Sequence, residues 1–263
     1  MPEPFEDSKD FSFVTTRWHD IHLFHEEGTA AEAARESVCR NYWYPLYVFL
    51  RVDLRKRGAD AEQAQDLVQA FFEHVLEKEK FRHADPSEGK FRSFLLTALQ
   101  NFVSDEWKRS RRQKRRPARG WVFIDDADAA ERFEAEFARF DSPEKAYDRA
   151  WALQILEWCL QQARESYSGN SKLFSLMEPL LQGSDGETPY AELAAGTGKT
   201  VGAFKVEVHR CRERFQRLVK CAIARTLGWS GSNIEELEAD LGKDEDFKKQ
   251  FDEEFASLLA ALA

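Results

Sequence analysis

The stretch Glu192–Phe215 reads ELAAGTGKTVGAFKVEVHRCRERF, and the role of its central GTGKT decides what kind of chain this is. Glycine, lysine and threonine in this order occur where backbone amides wrap the phosphates of a nucleotide. That loop needs an earlier glycine where this chain has Leu193, and a buried strand where it has PYAELAA (189–195), an amphipathic helical pattern. Trp121-Val122-Phe123-Ile124-Asp125-Asp126 resembles a strand ending in magnesium-binding carboxylates. It precedes the GKT segment instead of following it, and only 63 residues follow Thr200. Sequence order and remaining length therefore speak against nucleotide hydrolysis.

The same residues read coherently as two helices and a turn. Tyr190–Ala195 supplies a first helix with Leu193 and Ala194 facing inward. Gly196-Thr197-Gly198 turns the chain where glycine takes positive φ without steric cost, and Thr200 caps the helix that follows. Ala203, Phe204, Val206 and Val208 are expected to be buried, with Lys205, His209, Arg210 and Arg212 projecting outward. This is a helix-turn-helix, whose second helix lies in a DNA major groove.

Charge distribution supports a polyanionic partner. The net charge is −9, yet eight basic residues and no acid lie between Trp107 and Arg119, and seven basic against two acidic residues lie in Lys199–Lys220. Acidic stretches separate and follow these islands: eight acids against two bases in Ile124–Glu144, and ten against three in Gly231–Ala263. Two basic islands on an acidic chain suggest two polyanion-binding surfaces.

Elsewhere the apolar residues recur at helical spacing. Asp60 can cap a helix carrying Ala64, Leu67, Val68, Phe71, Phe72, Val75 and Leu76. Phe91, Phe94, Leu95, Ala98, Leu99, Phe102 and Val103 continue the pattern into the first basic island. Helices are expected near Arg17–Glu26 and Ala30–Arg40, with Pro45 in the first turn of another that carries Leu46 to Leu54. Ser142-Pro143-Glu144 is a start signal of N-cap, first-turn proline and first-turn acid. The fold class is all-α: two helical bundles joined by an acidic linker that holds one short helix around Phe133 and Phe137.

In this order, four segments resemble RNA polymerase sigma factors of the extracytoplasmic-function (ECF) type, especially a subgroup opening with an FxTTRW-like sequence, here Phe13–Trp18. Tyr42–Tyr47 (YWYPLY) resembles the subgroup's first conserved helix, and Asp60–Phe72 the polymerase-binding helix. Phe91–Leu99 with Asp105-Glu106-Trp107 resembles the promoter-melting helix, and Pro189–Phe215 the promoter-reading helix-turn-helix. The resemblance implies a domain at 11–116 for polymerase and −10 promoter binding, an acidic linker at 117–142 running toward the polymerase interior, a −35-binding domain at 143–227 and an acidic helical tail at 228–263. It places polymerase contact on Asp66, Gln69 and Phe72. It places −10 contact on Asn101, Trp107, Lys108, Arg109, Arg111, Arg112, Lys114, Arg115 and Arg116, and −35 contact on Lys199, Thr200, Lys205, His209, Arg210 and Arg212. Core RNA polymerase and promoter DNA are the implied partners, with room for an anti-sigma or other regulatory protein. Gln65 and Ala70 depart from the family, standing where many relatives carry acids, and Lys199 stands where an apolar turn residue is common. The alternative reading is a stand-alone helix-turn-helix regulator, which has no need of the Asp60–Leu76 helix.

No catalytic constellation and no cofactor are expected. His19, His22 and His25 diverge by roughly 120° over two three-residue steps of a helix, which disfavours a shared metal. Four cysteines without CxxC spacing, an acidic N-terminus without an apolar core and the lack of a long apolar run point to a cytoplasmic, nucleoid-associated protein without a membrane span. The tail carries Phe247, Phe251, Phe255, Leu258 and Leu259 at helical spacing. It is expected to pack on its own domain or to cover the basic recognition helix.

Overall fold

The computed structural model describes residues 21, 26, 28–55, 58, 60–77, 90–110, 128–181 and 188–263. The Phe13–Trp18 opening, the three histidines, Trp121–Asp126 and the basic run after Ser110 lie outside them. The described residues form ten α-helices and no strand. In chain order these are α1 (Thr29–Arg55), α2 (Ala61–Glu77), α3 (Phe91–Ser110), α4 (Ala129–Glu136), α5 (Pro143–Glu165), α6 (Ser171–Leu181), α7 (Tyr190–Thr197), α8 (Val201–Thr226), α9 (Ile234–Leu241) and α10 (Glu245–Leu262).

Helix α1 is one continuous 27-residue element, so the separate helices expected on either side of Pro45 are a single one. Proline here sits in the interior of the helix, where it has no N–H to give to the carbonyl of Asn41. Burial outweighs that loss. Every residue from Asn41 to Leu50 is buried, because α1 lies between α2 on one side and α5 on the other. A helix apolar on all sides belongs inside a protein. Trp43 stacks on Tyr47 at 5.3 Å, and Tyr44 and Tyr47 meet Phe137 and Phe133 edge-on at 6.2 and 6.3 Å.

These ring contacts bring α4 into the core. The acidic segment expected as a spacer buries Phe133 and Phe137 and presents its carboxylates outward. Arg51 pairs with Glu134 at 2.6 Å while its guanidinium covers the Phe133 ring, and Arg55 donates to the Phe140 carbonyl at 2.8 Å. Helix α5 then starts as its sequence predicts: Ser142 accepts from the Lys145 amide and Pro143 occupies the first turn. The buried side chains form one contiguous cluster from Ile21 to Leu258.

The tail, α9 and α10, packs on α5 and α8. Phe251 and Leu258 are buried, Phe247 and Phe255 are half-buried, and Leu259 is 54% exposed, so the apolar stripe is narrower than its sequence implies. Glu254 lies on the same face and is 1% exposed. It receives two bonds from Arg92 at the start of α3, at 2.9 and 3.2 Å, and pairs with Lys90. Arg92 also pairs with Asp148 of α5 and lies 4.3 Å over the Trp151 ring, while Tyr147 donates to the Arg92 carbonyl at 3.0 Å. Arg149 donates to the carbonyls of Ala261 and Leu262, closing the end of α10. One buried ionic cluster thus ties the tail to both halves of the chain.

Candidate nucleic-acid and polymerase interfaces

Helices α7 and α8 and the turn between them are built by local chemistry. Gly198 adopts φ 70° and its amide donates to the Ala195 carbonyl, ending α7 in the left-handed conformation that glycine permits. The Thr197 hydroxyl donates to the Ala194 carbonyl at 2.8 Å, and the Thr200 hydroxyl oxygen accepts from the Ala203 amide at 3.2 Å, capping α8. The glycines of GTGKT serve the turn. Ala194, Phe204, Val208 and Cys211 are buried at the junction of the two helices, and Tyr190 meets Phe204 edge-on at 6.1 Å.

On the opposite side, Gly202, Val206, His209, Arg210 and Glu213 fall within an arc of about 100°, at 100° per residue, and all are exposed. Lys205 is exposed at the edge of this arc, with its ammonium 5.6 Å from the centre of the Tyr190 ring. His209 lies 3.4 Å from Glu213. Lys199 is half-buried and pairs with Glu207 at 3.5 Å. Arg212 is half-buried and donates to the Leu180 carbonyl at 3.0 Å, tying α8 to α6. Two inward assignments fail: Val206 is 50% exposed and Ala203 is exposed as well. Val206 lies on the far side of α8 from Phe204 and Val208, and Ala203 on its flank. A two-residue alternation read as buried is here a helix whose inner face is only one stripe wide.

The tail does not cover this surface. Lys205, Val206, His209 and Arg210 remain exposed with α9 and α10 in place, and the tail's charged contact to α8 lies further along, where Arg217 meets Glu235 at 3.3 Å. That pair is exposed on both sides and contributes little.

In the N-terminal half, Asp60 caps α2 by accepting from the Gln63 amide at 2.8 Å. Asp66 is exposed, Gln69 is half-exposed and donates to Glu73 at 3.3 Å, and Phe72 lies in the core beneath them. Helix α3 buries Phe91, Leu95, Leu99, Phe102 and Val103. Its outer side presents Phe94, Thr97, Asn101, Ser104 and Lys108, spaced by three or four residues. Trp107 is 39% exposed, so it is not a core tryptophan, and Phe94 at 36% adds a second exposed ring that its apolar spacing had assigned inward. Lys108 pairs with Asp105 at 3.3 Å. Arg109 has only its backbone described, and Arg111, Arg112, Lys114, Arg115 and Arg116 lie outside the described residues.

Residues 49–113, from the C-terminal part of α1 through α2 and α3, match the family model of sigma-70 region 2. The match supports a sigma-70 family member. Region 2 implies RNA polymerase binding and promoter recognition in general terms, and both faces just described fall inside the matched residues. No curated protein and no solved structure gives a match to the chain.

Burial sets the chemistry of the remaining titratable groups. It works against charge on Glu254, but the bonds from Arg92 and the neighbouring Lys90 outweigh it, and the carboxyl is held below its ordinary range. Burial likewise opposes the Arg92 charge, and Glu254 and Asp148 overcome it, so Arg92 stays protonated. All four cysteines are buried free thiols, and burial pushes Cys39 up to about 12 and raises Cys159 and Cys211. Among the described residues, no helix is long and apolar enough to cross a membrane, and no cluster of three or more ligating side chains is present.

Proposed function

We propose that the chain is a sigma factor of the ECF type, which binds core RNA polymerase and supplies promoter specificity without an active site of its own. The observation that carries this reading is the presence, in one chain, of the region 2 match and of a capped pair of helices, α7 and α8, whose exposed side carries Lys205, His209 and Arg210. Residues 11–116 form the polymerase- and −10-binding unit, 117–142 the linker, whose α4 half packs on α1, 143–227 the −35-binding unit and 228–263 the tail. On this reading Asp66 and Gln69 of α2 contact polymerase, with Phe72 holding the helix from below.

Helix α3 and the basic run after it engage the −10 element. Lysines and arginines there neutralise phosphates and release counterions, which gives salt-dependent, sequence-independent affinity. Trp107 is placed to stack on an unpaired base. Lys205, His209 and Arg210 face the −35 element, with Thr200 capping their helix, Lys199 pairing with Glu207 of that helix and Arg212 tying it to α6.

Co-elution tests the reading. Purified chain mixed with core polymerase at low ionic strength is expected to elute with the enzyme on gel filtration, and Asp66→Arg to abolish this without changing thermal stability. Failure of the wild type to co-elute while still binding duplex DNA would favour a stand-alone regulator.

A further inference from the structure

The exposed face of α8 holds a pair of residues that folding does not explain. Val206 stands at the centre of that face and is 50% exposed, although its neighbours Phe204 and Val208 are buried. A single exposed valine is unremarkable in itself. One turn earlier on the same line is Gly202, in the first turn of α8, where alanine would lower the entropy of the unfolded chain. Its φ is not positive, since that conformation occurs among the described glycines at Gly28, Gly58, Gly198 and Gly228. A Cβ added at Gly202 would meet nothing within 4 Å. Neither a turn nor packing within the chain requires a glycine there, and its outward side is open.

An apolar branched side chain behind such a gap, with Lys205 and Arg210 beside it and Glu213 occupied by His209, fits the floor and walls of a DNA groove. The cations match a phosphate backbone. The floor of the major groove offers a single apolar feature, the C5-methyl group of thymine. Resting on the assignment of α8 to the −35 element, we infer that Val206 reads a thymine methyl in that element and that Gly202 lets the start of α8 approach closely enough to seat it. His209 and Arg210, one turn further on, face the adjoining base pairs.

Deoxyuridine differs from thymidine by that methyl alone, so it is the probe. The −35 sequence is first defined by selecting promoters transcribed by the full chain with core polymerase. Each thymine in it is then replaced singly by deoxyuridine, and the holoenzyme's affinity is measured for the wild type, Val206→Ser and Gly202→Ala. One replacement is expected to weaken wild-type binding about fourfold, the value of one buried methyl, and to have no effect on Val206→Ser. Gly202→Ala is expected to raise the melting temperature of the free chain while weakening promoter binding, a divergence that a purely structural role would not give. Promoter-directed transcription without any deoxyuridine penalty dependent on residue 206 overturns this inference alone. Absence of promoter-directed transcription by the wild type overturns the parent reading and this inference with it.

Discussion

Substituting Glu254 with glutamine tests whether the tail is an integral part of the fold. Glu254 is 1% exposed and takes two bonds from Arg92 plus the charge of Lys90. Removing one partner of a buried ion pair costs about 3–5 kcal/mol, because the surviving charge stays buried without its counter-ion. Here Arg92 keeps Asp148 and the Trp151 ring, and Lys90 is partly exposed. The expectation is therefore the lower end, about 3 kcal/mol. Urea unfolding at pH 7, followed by circular dichroism, reads this as a lower midpoint with an unchanged slope. Glutamine preserves volume, so a loss cannot be assigned to a cavity.

The pH dependence has a fixed sign. Because the folded carboxyl titrates below its unfolded value, its stabilisation is complete above about pH 4.3. It is lost as the pH falls through the lower folded value. Wild type should converge on Glu254→Gln in acid. A loss below about 1 kcal/mol at pH 7, the range of an exposed pair, would refute the reasoning.

Three further outcomes follow from local structure. Gly198→Ala places a side chain at φ 70° and should cost roughly 1–2 kcal/mol, read as a lower thermal midpoint together with weaker −35 binding. Trp107→Ala should weaken holoenzyme binding to a pre-melted −10 bubble by about 1–3 kcal/mol, and Trp107→Phe, which keeps an aromatic face, should restore most of it. The four thiols should resist a disulfide reagent at pH 8 in the native protein and react together only in denaturant, since all are buried and Cys39 is pushed up to about 12.

Features of the fold encoded over three or four residues were legible in the sequence. Asp60, Ser142 and Thr200 each cap the helix their position implies, and Gly198 takes the left-handed turn expected of it. Features that depend on distant partners were not. Pro45 reads locally as a helix start, and only burial between α2 and α5 explains why the helix runs through it. Phe133 and Phe137 are masked by the carboxylates around them, yet both pack against tyrosines of α1. Val206 shows that apolar residues alternating by two along a helix cannot all be buried, since successive ones fall on different sides. Arg92 and Glu254 are 162 residues apart, and no periodicity links them. The exposure of Asp66 and Asn101 was legible for a different reason: each sits on a helix whose opposite side is marked by recurring phenylalanine and leucine.

Run-off transcription with purified core polymerase, on a genomic library of promoters, tests the central assignment most directly. Transcripts should start at a defined set of sites only when the chain is present, and Asp66→Arg should abolish them while the variant still binds −35 duplex. Start sites that are the same with and without the chain would contradict the account.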